Sequence, residues 1–469
     1  MTRLQDVDSP DNPHTLNTAL SQTIAVQTTA ESGISKSSSN SFEGSHKTEK
    51  EAIETIAKDD FPDGGLRAWF VVLASSFIMA MSFGMCNSYG VYQTYYEIKY
   101  PHVRTNILSI IGALQTGLTM FLAVPSSVCM VYIGPQAVVA IGSLLACLSF
   151  MFLSITKSVA EVFIVQGLMY GIGSGLMYVH STGVTFQYFK RRKALAQGLI
   201  TTGASLGGIY WPVAVKRLIN SVGFAWANRI IGFIYLPMGI VATVFLKPRI
   251  RVQKRKPGEN ILGINFAVMK DWKYLVISFA WVLYLVSMVP GFVFIDLYCL
   301  RAGVSPGFQK YTVTIMNSCG AVFRILCGFF GDKFGRINIT IPSLFFAGLF
   351  PLVLWLPSSL QSSPSSTLSI VFVVLWSCFA SMPIALIPTV IGQIFEGPYI
   401  YSYLSVFLVL GGIGDFLGPI LGGLFLPQGN THNVDGFDNL AIFCGVISLV
   451  SSFLMICMKL IYGGVRGKI

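Results

Sequence analysis

The sequence predicts an all-α membrane protein, with twelve transmembrane helices arranged as two six-helix pseudo-repeats and both termini in the cytoplasm. Three observations lead there. Of 469 residues, 11% are charged and 53% hydrophobic, with a mean hydropathy of +0.65; a soluble domain carries about 25% charged residues. Apolar runs of the ~20 residues that cross a bilayer recur along the chain. The basic residues between them fall mostly on alternate loops, as the positive-inside bias of inserted helices demands.

The first 60 residues hold five basic and ten acidic groups and a Ser-rich stretch, Ser37 to Ser41. With few apolar side chains and no leader-like core, they read as a disordered, uncleaved cytoplasmic tail (1–60). Apolar runs follow at 67–92, 106–129, 135–156, 160–183, 194–215 and 224–246, making an N-terminal bundle (61–246). A basic cytoplasmic loop (247–272) separates these from runs at 273–298, 311–331, 338–357, 367–390, 400–426 and 438–461, the C-terminal bundle (273–461). Residues 462–469 form a cytoplasmic end.

With the tail inside, the inner loops and ends collect 18 Lys and Arg, including Lys190 to Lys193 and the cluster from Lys247 to Lys256, against seven on the outer side. Only Arg229 and Arg324 remain within spans. Basic clusters set between apolar runs suit an anionic membrane surface rather than a nucleic acid. The nine cysteines show no CxxC or Cys/His spacing and read as packing residues. Leu206, Gly207, Gly208 and Pro212 in the fifth span recur as Leu421, Gly422, Gly423 and Pro427 in the eleventh. Such an internal repeat about a central path is the architecture of secondary transporters.

After the eighth span come Gly328, Gly331, Asp332, Lys333, Phe334, Gly335 and Arg336. Glycines permit close helix approach, while an acid and bases at a helix end can pair or cap and so latch one conformation. This loop resembles the GxxxD(R/K)xGR loop of the major facilitator superfamily, which implies the major facilitator fold and gives the loop a gating role. In the first half the equivalent stretch, Ser127 to Gln136, keeps only Gly134; Val131 and Tyr132 stand at the acid and base positions. Two further stretches, PDGGLRAW (62–69) and YFKRRKALAQG (188–198), together with GFAWANRIIG leading into the sixth span, resemble the fungal branch of the monocarboxylate transporter family across residues 61 to 461.

An ionisable group in mid-bilayer costs at least about 2.5 kcal/mol and is a functional candidate by default. Arg324 occupies the position where the resemblance implies a carboxylate-binding arginine, and a guanidinium offers a bidentate fork for such a group. Two departures stand out. Gly320 sits where lactate-transporting relatives have an aspartate, and the neutral stretch from Asn87 to Tyr89 replaces a first-span lysine, so proton–lactate symport does not carry over whole. Asp415 in the eleventh span and, more weakly, Asp296 at the outer end of the seventh are candidate coupling groups. His180, Asn87 and Tyr89 join Arg324 as candidate substrate contacts. Tyr92, Phe292, Tyr298, Tyr311 and Trp376 are further aromatics for a pocket, and Pro383 and Pro388 mark a kink.

An intramembrane enzyme lacks its nucleophile, dyad or ligand cluster here, and no metal or cofactor is expected. A channel would bring filter-forming rings and oligomeric symmetry. The reading is a secondary transporter, working by alternating access on a small organic anion or other carboxylate-bearing metabolite, with an organic acid as the expected substrate and proton coupling left open. The alternatives are an exporter of a fungal secondary metabolite, a riboflavin-like vitamin carrier, or a transporter-like nutrient sensor. The plasma membrane is the default location. The Asn338–Ile339–Thr340 sequon falls on the cytoplasmic side and should carry no glycan.

Overall fold

Within a bilayer no water satisfies backbone N–H and C=O groups, so each apolar run must close its own hydrogen bonds as a helix. The computed structural model describes residues 63–249, 269–361, 364–395, 400–426 and 434–463, and among them regular structure is helical throughout. The helices are α1 (Leu66–Lys99), α2 (Ile107–Phe121 and Ala123–Ile133, bent by 48°), α3 (Pro135–Leu153) and α4 (Val159–Thr185). After Lys193–Phe245 come α7 (Trp272–Arg301), α8 (Thr312–Phe334), α9 (Arg336–Ser359), α10 (Ser366–Ile394), α11 (Ile400–Gly423) and α12 (Phe437–Ile461). Lys193–Phe245 spans 53 residues, about 80 Å if straight and far beyond one bilayer core. It breaks at Gly223, whose φ of 79° and ψ of 166° are not helical, into α5 (193–222) and α6 (224–245). By length and composition ten of the described helices can cross a membrane, or eleven with the bent pair counted as one.

The tail 1–60, Pro62, most of the 247–272 loop, Pro427, His432, Arg466 and Lys468 lie outside the described residues. The turns retain the echo between halves where sequence has drifted. Gly134 (φ 83°) between α2 and α3 matches Gly335 (φ 102°) between α8 and α9, and Gly223 matches Gly436 (φ 84°) before α12. Side chains avoid that backbone region, which explains why Gly134 alone survives of its loop motif.

Each half has an aromatic core. Phe150, Tyr170, Trp211 and Tyr235 interlock in the first, and Tyr298, Trp355, Phe372 and Phe437 in the second. Tyr92 donates to Asn228 Oδ1 (2.9 Å) inside the first half, and Trp376 to Ala347 O (3.2 Å) inside the second. Large apolar side chains such as Leu144, Phe233, Phe279, Phe329 and Phe453 face outward, suited to lipid. The nine cysteines are free thiols; Cys147, Cys299, Cys327, Cys378 and Cys444 are buried, whereas Cys129 is exposed.

Besides the bend in α2, π-turns interrupt α1, α4 (Phe163–Met169) and α9 (Pro351–Trp355), and α10 breaks near its middle. In α1 the segment Ala80–Gly84 is a π-turn, whose widened loop turns carbonyls away from the ordinary ladder. Three donors from other helices meet them: Trp211 Nε1 on Ala80 O (2.9 Å), and the Tyr170 and Tyr235 hydroxyls on Met81 O (2.6 and 2.8 Å). The helix yields again at Asn87–Ser88. In α10 the break falls at Ser381, two residues before Pro383, which has no N–H to bond the carbonyl one turn back.

Candidate functional site

The two halves meet most closely where α5 lies against α8. A Cβ on Gly198 would stand 2.3 Å from Arg324 O, and one on Gly328 2.5 Å from Ala194 O, so only glycine lets the backbones touch. This contact sets Arg324 near the middle of α8, 9% exposed, with Nη1 donating to Thr201 O (2.7 Å) and Nε without a partner. Among the described residues it makes no ion pair. Tyr178 of α4 and Tyr284 of α7 lie within its electrostatic reach; the Tyr284 hydroxyl is spent on Ala380 O. Tyr178 also lies within reach of Asp415, and Asp415 of Cys86 on α1. Tyr178, itself buried, therefore stands within electrostatic reach of both the Arg324 guanidinium and the Asp415 carboxylate, which make no direct contact with each other among the described residues. A buried cation of this kind is costly unless an anion compensates it.

The other predicted residues take different stations. Asn87 is exposed at the α1 break and meets the α5–α8 seam at Gly208. Tyr89 packs its ring on Gly112, and its hydroxyl bonds Leu108 O, tying α1 to α2. His180 is fully buried; its Nε2 shares a 2.9 Å hydrogen bond with Ser126, its Nδ1 is unpartnered, and its ring lies 6.2 Å from that of Tyr401. Asp296 lines a separate cavity of about 320 Å³ at the opposite end from the motif loop, with Lys216, Gln309 and Lys310. Arg229 bonds Ser154 and stacks beside Trp226 at the rim of the first half.

The motif loop does more than turn the chain. Asp332 accepts the N–H groups of Ala194 (3.0 Å) and Leu195 (2.8 Å), capping the first turn of α5 from across the interface. Arg336 pairs with Asp332 (3.1 Å), donates to Lys190 O (2.9 Å) and bonds Gln393 (3.1 Å). Lys333 points outward over Phe334. The same 188–195 stretch is gripped from its other side: Asp63 Oδ1 accepts the N–H groups of Lys190 (2.6 Å) and Arg191 (2.7 Å), and Trp69 lies against Phe189. The two sequence signatures thus touch each other and the motif loop.

Around this clamp the halves are sealed. A Cβ on Gly183 would stand 2.3 Å from the Tyr401 ring and one on Gly392 2.6 Å from that of Phe186, and Ser127 bonds Ser405 (2.6 Å). Lys193 Nζ donates to Gly392 O (2.6 Å). Sequence reasoning picked out Arg324 and Asp415 because charge within a span is rare. It passed over Tyr178 and Asn317, since such residues are common in membrane helices and only tertiary placement distinguishes them.

Known proteins share this architecture. The profile of the Major Facilitator Superfamily matches residues 68–382 and 302–463. The MFS-type transporter pytF of Aspergillus terreus is 34% identical over 297 residues, 62% of this chain and 100% of its own length. The Aspyridones efflux protein apdF of Emericella nidulans is 26% identical over 413 residues, 87% of this chain and 81% of that protein. The crystal structure of the human organic anion transporter MFSD10 superposes with a TM-score of 0.65 at 15% identity, covering 83% of this chain and 99% of that one, a likeness of fold alone. Profile, relatives and fold agree that the chain belongs to the Major Facilitator Superfamily.

Proposed function

We propose that this transporter exports an acidic organic product of secondary metabolism by alternating access, with the acid group held at Arg324. The observation that carries the reading is the buried, unpaired guanidinium beside Tyr178, which offers donors to an anion at a depth where charge is otherwise expensive. The apdF relative is named an efflux protein, which favours outward movement of the cargo, so export takes precedence over the small-acid reading. The monocarboxylate-transporter-like subfamily rests on the signatures at 62–69 and 188–198.

In this scheme twelve spans form two rocking bundles, 61–246 and 273–461, with both termini and the basic loop in the cytoplasm. The clamp of Asp332, Arg336 and Asp63 on 188–195 closes the cytoplasmic end in an outward-facing state. Asp415 is the proposed coupling group, placed where a proton on its carboxyl would alter its interaction with Tyr178 and, through it, with the cargo at Arg324.

Reconstituted vesicles test this with labelled organic acids of increasing size and their uncharged methyl esters. Flux of acids but not esters is expected, and Arg324→Gln should abolish it while leaving the melting temperature of the purified protein in place. Full activity in that variant, or equal flux of acids and esters, would remove Arg324 from the site.

A further inference from the structure

Seven residues before Arg324, two turns along the same face of α8, stands Asn317. Seven residues beyond Thr201 on the antiparallel α5 stands Gly208, so the register that joins Arg324 to Thr201 brings Asn317 to Gly208. A Cβ at Gly208 would lie 2.7 Å from Asn317 Oδ1 and 2.7 Å from Asn87 Nδ2. Two amides, one from each half of the protein, therefore converge over a residue with no side chain. We infer that Asn87 and Asn317 form a second, neutral subsite, which takes a hydroxyl, carbonyl or amide of the cargo about 10 Å from the acid group at Arg324.

The hydrogen-bond inventory supports a ligand role over a latch. Among the described residues, Asn317 spends Nδ2 on Val313 O (3.0 Å) and leaves its Oδ1 unbonded, and the exposed Asn87 makes no side-chain hydrogen bond. The amides approach without bonding each other, whereas a latch would be bonded in the state it holds. An asparagine presents both donor and acceptor without charge, so the pair suits a polar neutral group. Between the two registers Ser205 Oγ, beside Gly320, is buried and unpartnered among the described residues, and so is Ser88 Oγ next to Asn87. Buried groups of this kind are normally bonded, so hydrogen-bonding capacity is left over around the amides. Only an elongated acid spans both subsites; a lactate-sized one cannot.

This inference rests on the Arg324 reading, and one experiment separates them. Binding of decanoate and ω-hydroxydecanoate, and of the four-carbon pair butyrate and ω-hydroxybutyrate, is measured by thermal stabilisation of the purified full-length protein. The ten-carbon hydroxy acid should bind about three- to tenfold more tightly than decanoate, the worth of one neutral hydrogen bond. The four-carbon pair should show no such difference. Asn87→Leu and Asn317→Leu should each erase the advantage while decanoate binds as before, with Asn317→Ala standing in if leucine disturbs folding. Arg324→Gln should weaken both ten-carbon ligands alike. An advantage that survives both asparagine variants, or appears equally in the four-carbon pair, overturns the subsite. Decanoate binding indifferent to Arg324→Gln, or no binding by any probe, overturns the Arg324 reading and the subsite with it.

Discussion

A glycine in a membrane helix is often an ornament of close packing, but Gly198 is a condition of the site. Its missing side chain lets α5 lie against the Arg324 carbonyl, and that contact carries the guanidinium to Thr201 O. Gly198→Ala must displace backbone rather than a flexible side chain. We expect a loss of about 1–3 kcal/mol, read as a lower melting temperature, together with impaired transport. Gly90→Ala, with nothing within 4 Å of the added carbon, should change neither. Arg324 and Asp415 were legible from the sequence because a charge inside an apolar run is conspicuous. Tyr178 and Asn317 were not, because their significance lies in what two different helices bring beside them.

At the scale of elements, the stretch 188–195 is gripped through its backbone as well as through the Lys193 side chain on Gly392 O. Asp332 and Asp63 both accept main-chain N–H groups, so they act as caps whose strength comes from full negative charge. Asp332→Asn keeps the shape but discards the charge and the pairing with Arg336. It should weaken the seal by about 1–3 kcal/mol, shifting the balance between open and closed by roughly five- to 150-fold. A cysteine placed at Ser405, buried against Ser127 in the sealed state, should then be labelled faster by a water-soluble thiol reagent; unchanged labelling would count against the clamp. The positions of the helices could be read from apolar run length, with ends displaced by a few residues. The π-turn of α1 could not, because it depends on Trp211, Tyr170 and Tyr235 arriving from distant parts of the chain. PDGGLRAW and YFKRRKALAQG stood out as signatures, yet nothing in one dimension announced that Asp63 of the first caps the backbone of the second.

At the scale of the whole molecule, the proposed cycle requires one orientation in the membrane, with the motif loop on the cytoplasmic side. Asn338 follows the motif loop, and its Nδ2 donates to Phe334 O (2.7 Å). With the basic loops in the cytoplasm, the sequon at Asn338 should stay unmodified when the protein is made in a glycosylating host; a glycan there, seen as a gel shift removed by a glycosidase, would invert the arrangement. The crowded seam described above also bears on how such carriers diversify. Along α5, Gly198 and Gly208 abut α8 while Gly203 and Gly207 abut α1, each against atoms that leave little or no room for a methyl group. A side chain at Gly198, Gly203 or Gly207 would push two backbones apart. A change of cargo should therefore be sought on the faces of α1, α4 and α11 rather than along this seam, which acts as a strut whose thickness cannot be altered without moving the helices it joins.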